Sequence, residues 1–187
     1  MLRALDEADR MLAEGRDHVH ELRAGDDAGA RWCQAMQQEG ERLAALHGIA
    51  FRQVETGTPR ALHAVTAHEM YRIASEAMRN AFQHARASTI EVEVRYLASR
   101  VLIDVRDDGQ GLPPAVLASG HVEGHWGLPG MRERAANLGA QLTLATRAGG
   151  GTHWRLSVPG QRAWASQGNW LRRCGAYLRS RWRGQER

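Results

Sequence analysis

Three polar residues, Glu76, Asn80 and His84, recur at four-residue intervals in one long segment. This spacing places them along one side of a helix. The same side carries Ile73 and Ala77, so the polar groups interrupt a face that ought to be buried, and buried polar groups need partners. A Mg²⁺-bound nucleotide would provide them, because an amide oxygen is a good Mg²⁺ ligand and a carboxylate can orient water or accept a proton. On spacing alone, a helix whose polar residues only cap neighbouring loops is an equally good interpretation.

A second motif, Asp107 to Gly111, closes a strongly apolar strand with the sequence D-D-G-Q-G. The Asp107 carboxylate has little side-chain bulk beside it and can accept a hydrogen bond from an exocyclic amine. Gly109 and Gly111 let the backbone approach a ring or phosphates. A simple acidic turn is the plain alternative, because this motif alone is a weak signal.

Two further glycine-rich motifs follow. Gly124 to Met131 (G-H-W-G-L-P-G-M) runs into a helix predicted to start near Pro129, and glycines before a helix N-terminus favour phosphate binding by free N–H groups. Arg132 and Arg134 could add positive charge there, although Arg134 can equally face solvent. Gly149 to Thr152 is a glycine turn that places a hydroxyl at the start of a strand.

The elements that must position these motifs alternate between helical and strand periodicity. Helices are predicted at Trp32–Leu46, Thr66–Ala85 and Pro129–Leu138. Strands are predicted at Ile49–Val54, Ile90–Tyr96, Val101–Val105, Gln141–Thr146 and Thr152–Val158. Helices mixed with antiparallel hairpins indicate an α+β fold, a two-layer α/β sandwich with the helices on one face of the sheet.

Composition limits the function further. The chain has 187 residues, of which 43% are hydrophobic, and no apolar run reaches the roughly 18 residues that span a membrane. Two distant cysteines, Cys33 and Cys174, indicate a reduced, cytoplasmic setting. All 25 basic residues are arginine, which excludes a phosphate-loop lysine. The net charge of +4 comes from an arginine-rich tail after residue 160, so it is poor support for nucleic-acid binding.

Together, the four motifs resemble the N, G1, G2 and terminal threonine boxes of histidine-kinase-type ATPases, the superfamily that also includes DNA gyrase B, Hsp90 and MutL. The runs are E-A-M-R-N-A-F-Q-H-A, D-D-G-Q-G, G-H-W-G-L-P-G-M-R-E-R and G-G-G-T, between about residues 60 and 159. The third run looks like that of the nitrate-sensor branch of sensor histidine kinases. The resemblance implies the Bergerat ATP-binding fold, with ATP and Mg²⁺ as the ligands and Leu112–Trp126 as a short ATP lid.

The resemblance also implies residue roles. For catalysis, Asn80 would ligate Mg²⁺, Glu76 would lie near the γ-phosphate as a base or water-orienting group, and His84 would sit by the phosphates. For nucleotide binding, Asp107 would bond the adenine amine and Thr152 would support the adenine end through water. The other nucleotide-binding positions implied by the G1 and G2 boxes are Gly109, Gly111, Gly127, Leu128, Gly130 and Met131.

One part of a complete kinase is missing from the pattern, the phosphoacceptor histidine on a dimerising hairpin. Residues 1–25 resemble only the second helix of that hairpin, before a catalytic domain at 31–160 and a basic, tryptophan-rich tail at 161–187. His20 is a poor acceptor candidate, because only 60 positions separate it from Asn80. The implied partners are an acceptor hairpin on the same or another kinase subunit, a response regulator and a second copy in a full-length homodimer, with no nucleic acid.

Two alternative functions remain open at this point. One is an ATP-gated binding module, and the other is a serine kinase of the anti-sigma-factor type from the same superfamily. The hairpin-like N-terminal helix favours the histidine kinase. The tail is either a basic amphipathic helix for an anionic membrane or a partner, or a solvated extension that packs a tryptophan on the domain.

Overall fold

Five strands and four helices form the part of the protein that the structure, a computed structural model, describes, which is residues 28–112, 127–147 and 149–165. The helices are α1 (Ala28–His47), α2 (Ala64–His84), α3 (Gly127–Asn137) and α4 (Gly160–Ala163). The strands are β1 (Ala50–Gly57), β2 (Thr89–Tyr96), β3 (Arg100–Asp107), β4 (Gln141–Thr146) and β5 (Thr152–Pro159).

The strands form one mixed sheet in the order β1-β2-β3-β5-β4. Strands β1 and β2 are parallel, because α2 carries the chain back between them, while the other neighbours are antiparallel. The hairpin between β2 and β3 turns where Leu97 N donates to Arg100 O at 2.9 Å. The start of β2 therefore lies beside the end of β3 and the start of β5, at one end of the sheet.

Alternation of apolar side chains decides which face of the sheet is buried. Residues Val92, Val94 and Ile103 are buried, and with the buried faces of α2 and α3 they form one hydrophobic core. Helices therefore cover one face of the sheet, and the predicted α+β two-layer sandwich is confirmed.

Element boundaries differ slightly from those predicted. Helix α3 is described from Gly127, two residues before the predicted start at Pro129. Helix α4 was not predicted, and Trp164 after it stacks on Tyr96 with ring centroids 6.4 Å apart. The predicted hairpin helix at 1–25, nearly all of the predicted lid and the tail beyond residue 165 lie outside the described residues.

Within the described ranges, no helix is both long and apolar enough to cross a membrane.

Candidate nucleotide-binding site

The centre of the site is Asp107, the last residue of β3, whose side chain is buried. Its Oδ1 accepts hydrogen bonds from the backbone N–H groups of Gly109 and Thr152, each at 3.0 Å. No described residue donates to Oδ2. The carboxylate is therefore held by one oxygen, and the other can accept a bond from a ligand.

Glycine is required where the second and fourth motifs approach other backbone. A β carbon on Gly109 would collide with the carbonyl oxygen of Ala85, at the end of α2. A β carbon on Gly151 would collide with the carbonyl oxygen of Asp107, and Gly151 has a φ of +85°, which favours glycine. Gly111 also has a positive φ, +74°. Gly109 and Gly151 thus bring the two motifs into contact around Asp107.

The D-D-G-Q-G loop is also tied to the end of α2. Gln110 donates from its backbone N to Ala85 O at 2.9 Å and from Nε2 to His84 O at 3.0 Å. Asp108 accepts from the backbone N–H groups of Ser88 at 2.8 Å and Thr89 at 2.9 Å. The Ser88 hydroxyl, together with these N–H groups, holds the pKa of the Asp108 carboxyl below its ordinary value. These bonds fix the distance between Asp107 and the helix that carries Asn80.

The turn between β4 and β5 adds a further connection to Asp107. Arg147 donates from Nη1 to the Asp107 carbonyl oxygen at 3.1 Å, and its backbone N donates to Gly151 O at 2.9 Å. Thr152 is buried, and its backbone N–H bonds the carboxylate. The turn between β4 and β5 therefore holds Asp107 through the backbone N–H of Thr152 and the guanidinium of Arg147.

Helix α2 places its three predicted polar residues in different environments. Glu76 is partly buried, with its side chain 21% exposed, and it pairs with Arg79 at 2.8 Å. Asn80 is also partly buried, and its side chain makes no hydrogen bond within the described residues. His84 is exposed, and its carbonyl oxygen is the group that Gln110 binds. The polar face is thus only partly buried, and its burial decreases towards the end of the helix.

Helix α3 presents the third motif to α2. Oε1 of Glu76 fills the space that a β carbon on Gly127 would need, while the space beside Gly130 is open. Leu128 and Met131 are buried in the hydrophobic core, so their side chains hold α3 in place. Arg134 pairs with Glu69 of α2 at 3.5 Å, so its charge already has a partner.

Sequence reasoning missed the buried carboxylate Asp104, which lies under the site on the other face of β3. Burial raises its pKa, but hydrogen bonds from Arg155, His153 and Arg95 outweigh this effect and hold the pKa below its ordinary value. An acidic residue in the middle of an apolar strand was the available signal. His153, a member of this cluster, pairs with Arg106 in the β3–β5 ladder. The cluster therefore fixes the register of β3 and β5 one position away from Asp107 and Thr152.

Comparisons with known proteins identify the family of the chain. Residues 66–162, more than half of the chain, match the family described as histidine kinase-, DNA gyrase B-, and HSP90-like ATPase. The signal transduction histidine-protein kinase/phosphatase UhpB of Salmonella typhimurium is 36% identical over 90 residues, covering 48% of this chain and 17% of that protein. The nitrate/nitrite sensor protein NarX of Escherichia coli is 30% identical over 118 residues, covering 63% of this chain and 19% of NarX.

Solved structures agree on the fold. The histidine kinase domain of a blue-light activated histidine kinase from Erythrobacter litoralis superposes with a TM-score of 0.59 at 24% identity, covering 70% of this chain and 63% of that one. The catalytic domain of the histidine kinase ThkA gives 0.58 at 14% identity, covering 70% of this chain and 92% of that one.

The chain belongs to the histidine kinase-, DNA gyrase B-, and HSP90-like ATPase family, and it contains an ATP-binding domain of the sensor histidine kinase type. Its matching part spans about a fifth of the length of UhpB and of NarX.

Proposed function

We propose that the chain is the catalytic part of a two-component sensor histidine kinase of the nitrate-sensor branch. It transfers the γ-phosphoryl group of ATP to a histidine on a helical hairpin. The phosphoryl group then passes from this histidine to a response regulator. The hairpin belongs to the same or another subunit of a full-length homodimer. Residues 1–25 contribute part of a hairpin, 31–160 the catalytic domain and 161–187 a separate tail. We place this part in the cytoplasm, with a parent protein that is free or membrane-anchored.

The observation that carries the proposal is the arrangement of Asp107. One carboxylate oxygen is occupied by two backbone donors, while the other faces no described donor and suits the exocyclic amine of adenine. Hydrogen bonds from Gln110 to the end of α2 hold the helix that carries Asn80 at a set distance from Asp107. This relation between a base-binding carboxylate and a helix with an amide is what ATP binding with Mg²⁺ needs.

Asn80 fits a Mg²⁺ ligand. Its partly buried amide lacks a hydrogen-bond partner among the described residues, and Mg²⁺ in nucleotide sites takes one or two protein ligands besides phosphates and water. No cluster of three or more His, Cys, Asp or Glu that could hold a metal occurs in the described ranges. The ion, when bound, neutralises charge on the phosphates.

The remaining residues position and polarise the substrate. Gly127 and Gly130 allow phosphates to approach the backbone N–H groups at the start of α3, where the helix dipole favours anions. Glu76 acts as a base or orients the attacking group, and His84 lies by the phosphates. Phosphoryl transfer depends mainly on such positioning and charge stabilisation.

The test is transfer of labelled phosphate. The chain is incubated with γ-labelled ATP and Mg²⁺, with and without a hairpin fragment that carries an acceptor histidine. Acid-labile, base-stable label on the hairpin supports the proposal. Nucleotide binding without transfer supports an ATP-gated binding module, and acid-stable label on serine supports an anti-sigma-type kinase. No binding of ATP at all contradicts every version.

A further inference from the structure

One ion pair lies inside the proposed phosphate site without a role in the mechanism above. Arg79 Nη2 is 2.8 Å from Glu76 Oε2, one turn apart on α2, with side chains 32% and 21% exposed. Arg79 directly precedes Asn80. Among the described residues, Glu76 is the ionic partner of this guanidinium.

The other oxygen of Glu76 lies where an anion is expected. Oε1 packs against Gly127, at the start of α3. Free N–H groups and the helix dipole make a helix N-terminus favourable for one negative group. Phosphate oxygens and the Glu76 carboxylate would repel each other there, because like charges at short range disfavour sharing a site. The Glu76 side chain must therefore move when phosphates bind.

The phosphates also need a permanent positive charge near Asn80. The chain contains no lysine. Arg134 is paired with Glu69 at 3.5 Å, and Arg132 also has an interaction of its own. Arg147 lies on the Asp107 carbonyl, at the proposed adenine end. Arg79 is next to Asn80, and the partner that holds it is the same carboxylate that phosphate would displace.

We propose that Arg79 is a phosphate-binding residue, and that ATP exchanges the Glu76–Arg79 pair for an Arg79–phosphate pair. Guanidinium groups bind phosphate oxygens through paired, charge-assisted hydrogen bonds. The exchange also frees Glu76 from both Arg79 and the α3 N-terminus, so that it becomes available as the base only when ATP is present. This inference rests on the proposed function, because it needs ATP phosphates in this site.

The first experiment compares the affinities for Mg²⁺-ATP and for adenosine by calorimetry. R79Q should weaken ATP binding by about tenfold, the scale of one charge-assisted contact, and should leave adenosine binding unchanged. R79K should weaken ATP binding by about half as much as R79Q on a logarithmic scale, because lysine keeps the charge but not the planar guanidinium. The matched control is R42Q, which removes an arginine from an i, i+3 pair of the same 2.8 Å length on α1 and should change neither affinity.

The second experiment tests the exchange itself. E76Q should bind ATP several-fold more tightly, because Arg79 is released and the competing negative charge is gone, while phosphoryl transfer falls. In an R79Q background the same change should give a smaller gain, which a double-mutant cycle measures.

Three outcomes decide the matter. If R79Q binds ATP like the wild type, or loses ATP and adenosine affinity by the same factor, the role of Arg79 is wrong and the proposed function stands. If E76Q weakens ATP binding, the exchange is wrong. The proposed function itself fails if the wild type binds adenosine as tightly as ATP, or if it binds neither of them. Thermal unfolding of each variant confirms that it is folded, and R79K provides the comparison if R79Q is not.

Discussion

The two ends of the proposed nucleotide site, adenine at Asp107 and phosphates at Asn80, are built in different ways. At the adenine end, Asp107 is held by Gly109, Thr152 and Arg147 through hydrogen bonds within the protein. At the phosphate end, Asn80 has no described hydrogen-bond partner and Glu76 is paired with Arg79. The proposed adenine end is thus held by bonds within the protein, whereas the proposed phosphate end would exchange the Glu76–Arg79 pair when ATP binds. Recognition of the base and activation of the phosphate are therefore separable.

The largest effect is expected from D107N at the adenine end. The amide can present an NH₂ group to the adenine amine, and two backbone N–H groups lose a charged acceptor. We expect a loss of at least about 3 kcal/mol, more than a hundredfold, in binding. Calorimetry with adenosine and with ATP should give similar losses, because this end contacts only the base.

The matched control for this change is D108N, since Asp108 bonds Ser88 and Thr89 outside the pocket. If D107N binds adenosine normally, the assignment of the adenine end is wrong.

The second change, D104N, tests whether the adenine end depends on the cluster beneath it. Removing the charge leaves Arg155, His153 and Arg95 around a neutral group. We therefore expect the free energy of unfolding to fall by about 2 kcal/mol. Urea denaturation at pH 7 measures this. ATP affinity of the folded variant should fall far less than in D107N.

Asp104 also predicts a dependence on pH. Its pKa is lower in the folded protein, so its contribution to stability is present above the unfolded pKa of about 4 and is lost as the pH falls through the lower, folded pKa. The stability of the wild type should fall more steeply than that of D104N below about pH 4. If the stabilities of the wild type and D104N fall equally steeply with pH, Asp104 does not have a lowered pKa in the folded protein.

The third change, N80A, tests the phosphate end. It should abolish transfer to the hairpin and weaken ATP binding by about tenfold when Mg²⁺ is present. Without Mg²⁺ the variant and the wild type should bind ATP alike, and adenosine binding should not change. A loss that is the same with and without Mg²⁺ would show that Asn80 does not act through the metal.

The smallest effect is expected at Arg86, which lies between α2 and the loop that bonds to its end. Arg86, just after α2, has a φ of +52°, a conformation that costs a residue with a β carbon about 1 kcal/mol. R86G removes that cost but adds backbone entropy to the unfolded chain, so the net gain should be about 0.5 kcal/mol. Thermal unfolding measures the gain, and R72G in the middle of α2 should instead destabilise the protein.

Much of the fold was accessible to sequence reasoning because its signals are local. Two-residue alternation predicted β2 and β3, and helical periodicity predicted α2. Gly139 comes directly after the predicted helix Pro129–Leu138, and it has the positive φ that ends such a helix. The backbones of Gly109 and Thr152, two predicted site residues, both bond the predicted Asp107 carboxylate. The roles of all the predicted site residues remain predictions, because they depend on a ligand.

The family and the positions of the four motifs can be read from the residues alone, since both depend on residue types at short spacings. Which polar groups already have partners depends on the folded arrangement. Arg147 reaches Asp107 across 40 positions, and Arg155 reaches Asp104 across 51. The Glu76 carboxylate contacts both Arg79 and Gly127. Such contacts depend on strand register and side-chain rotamers, which no local pattern specifies.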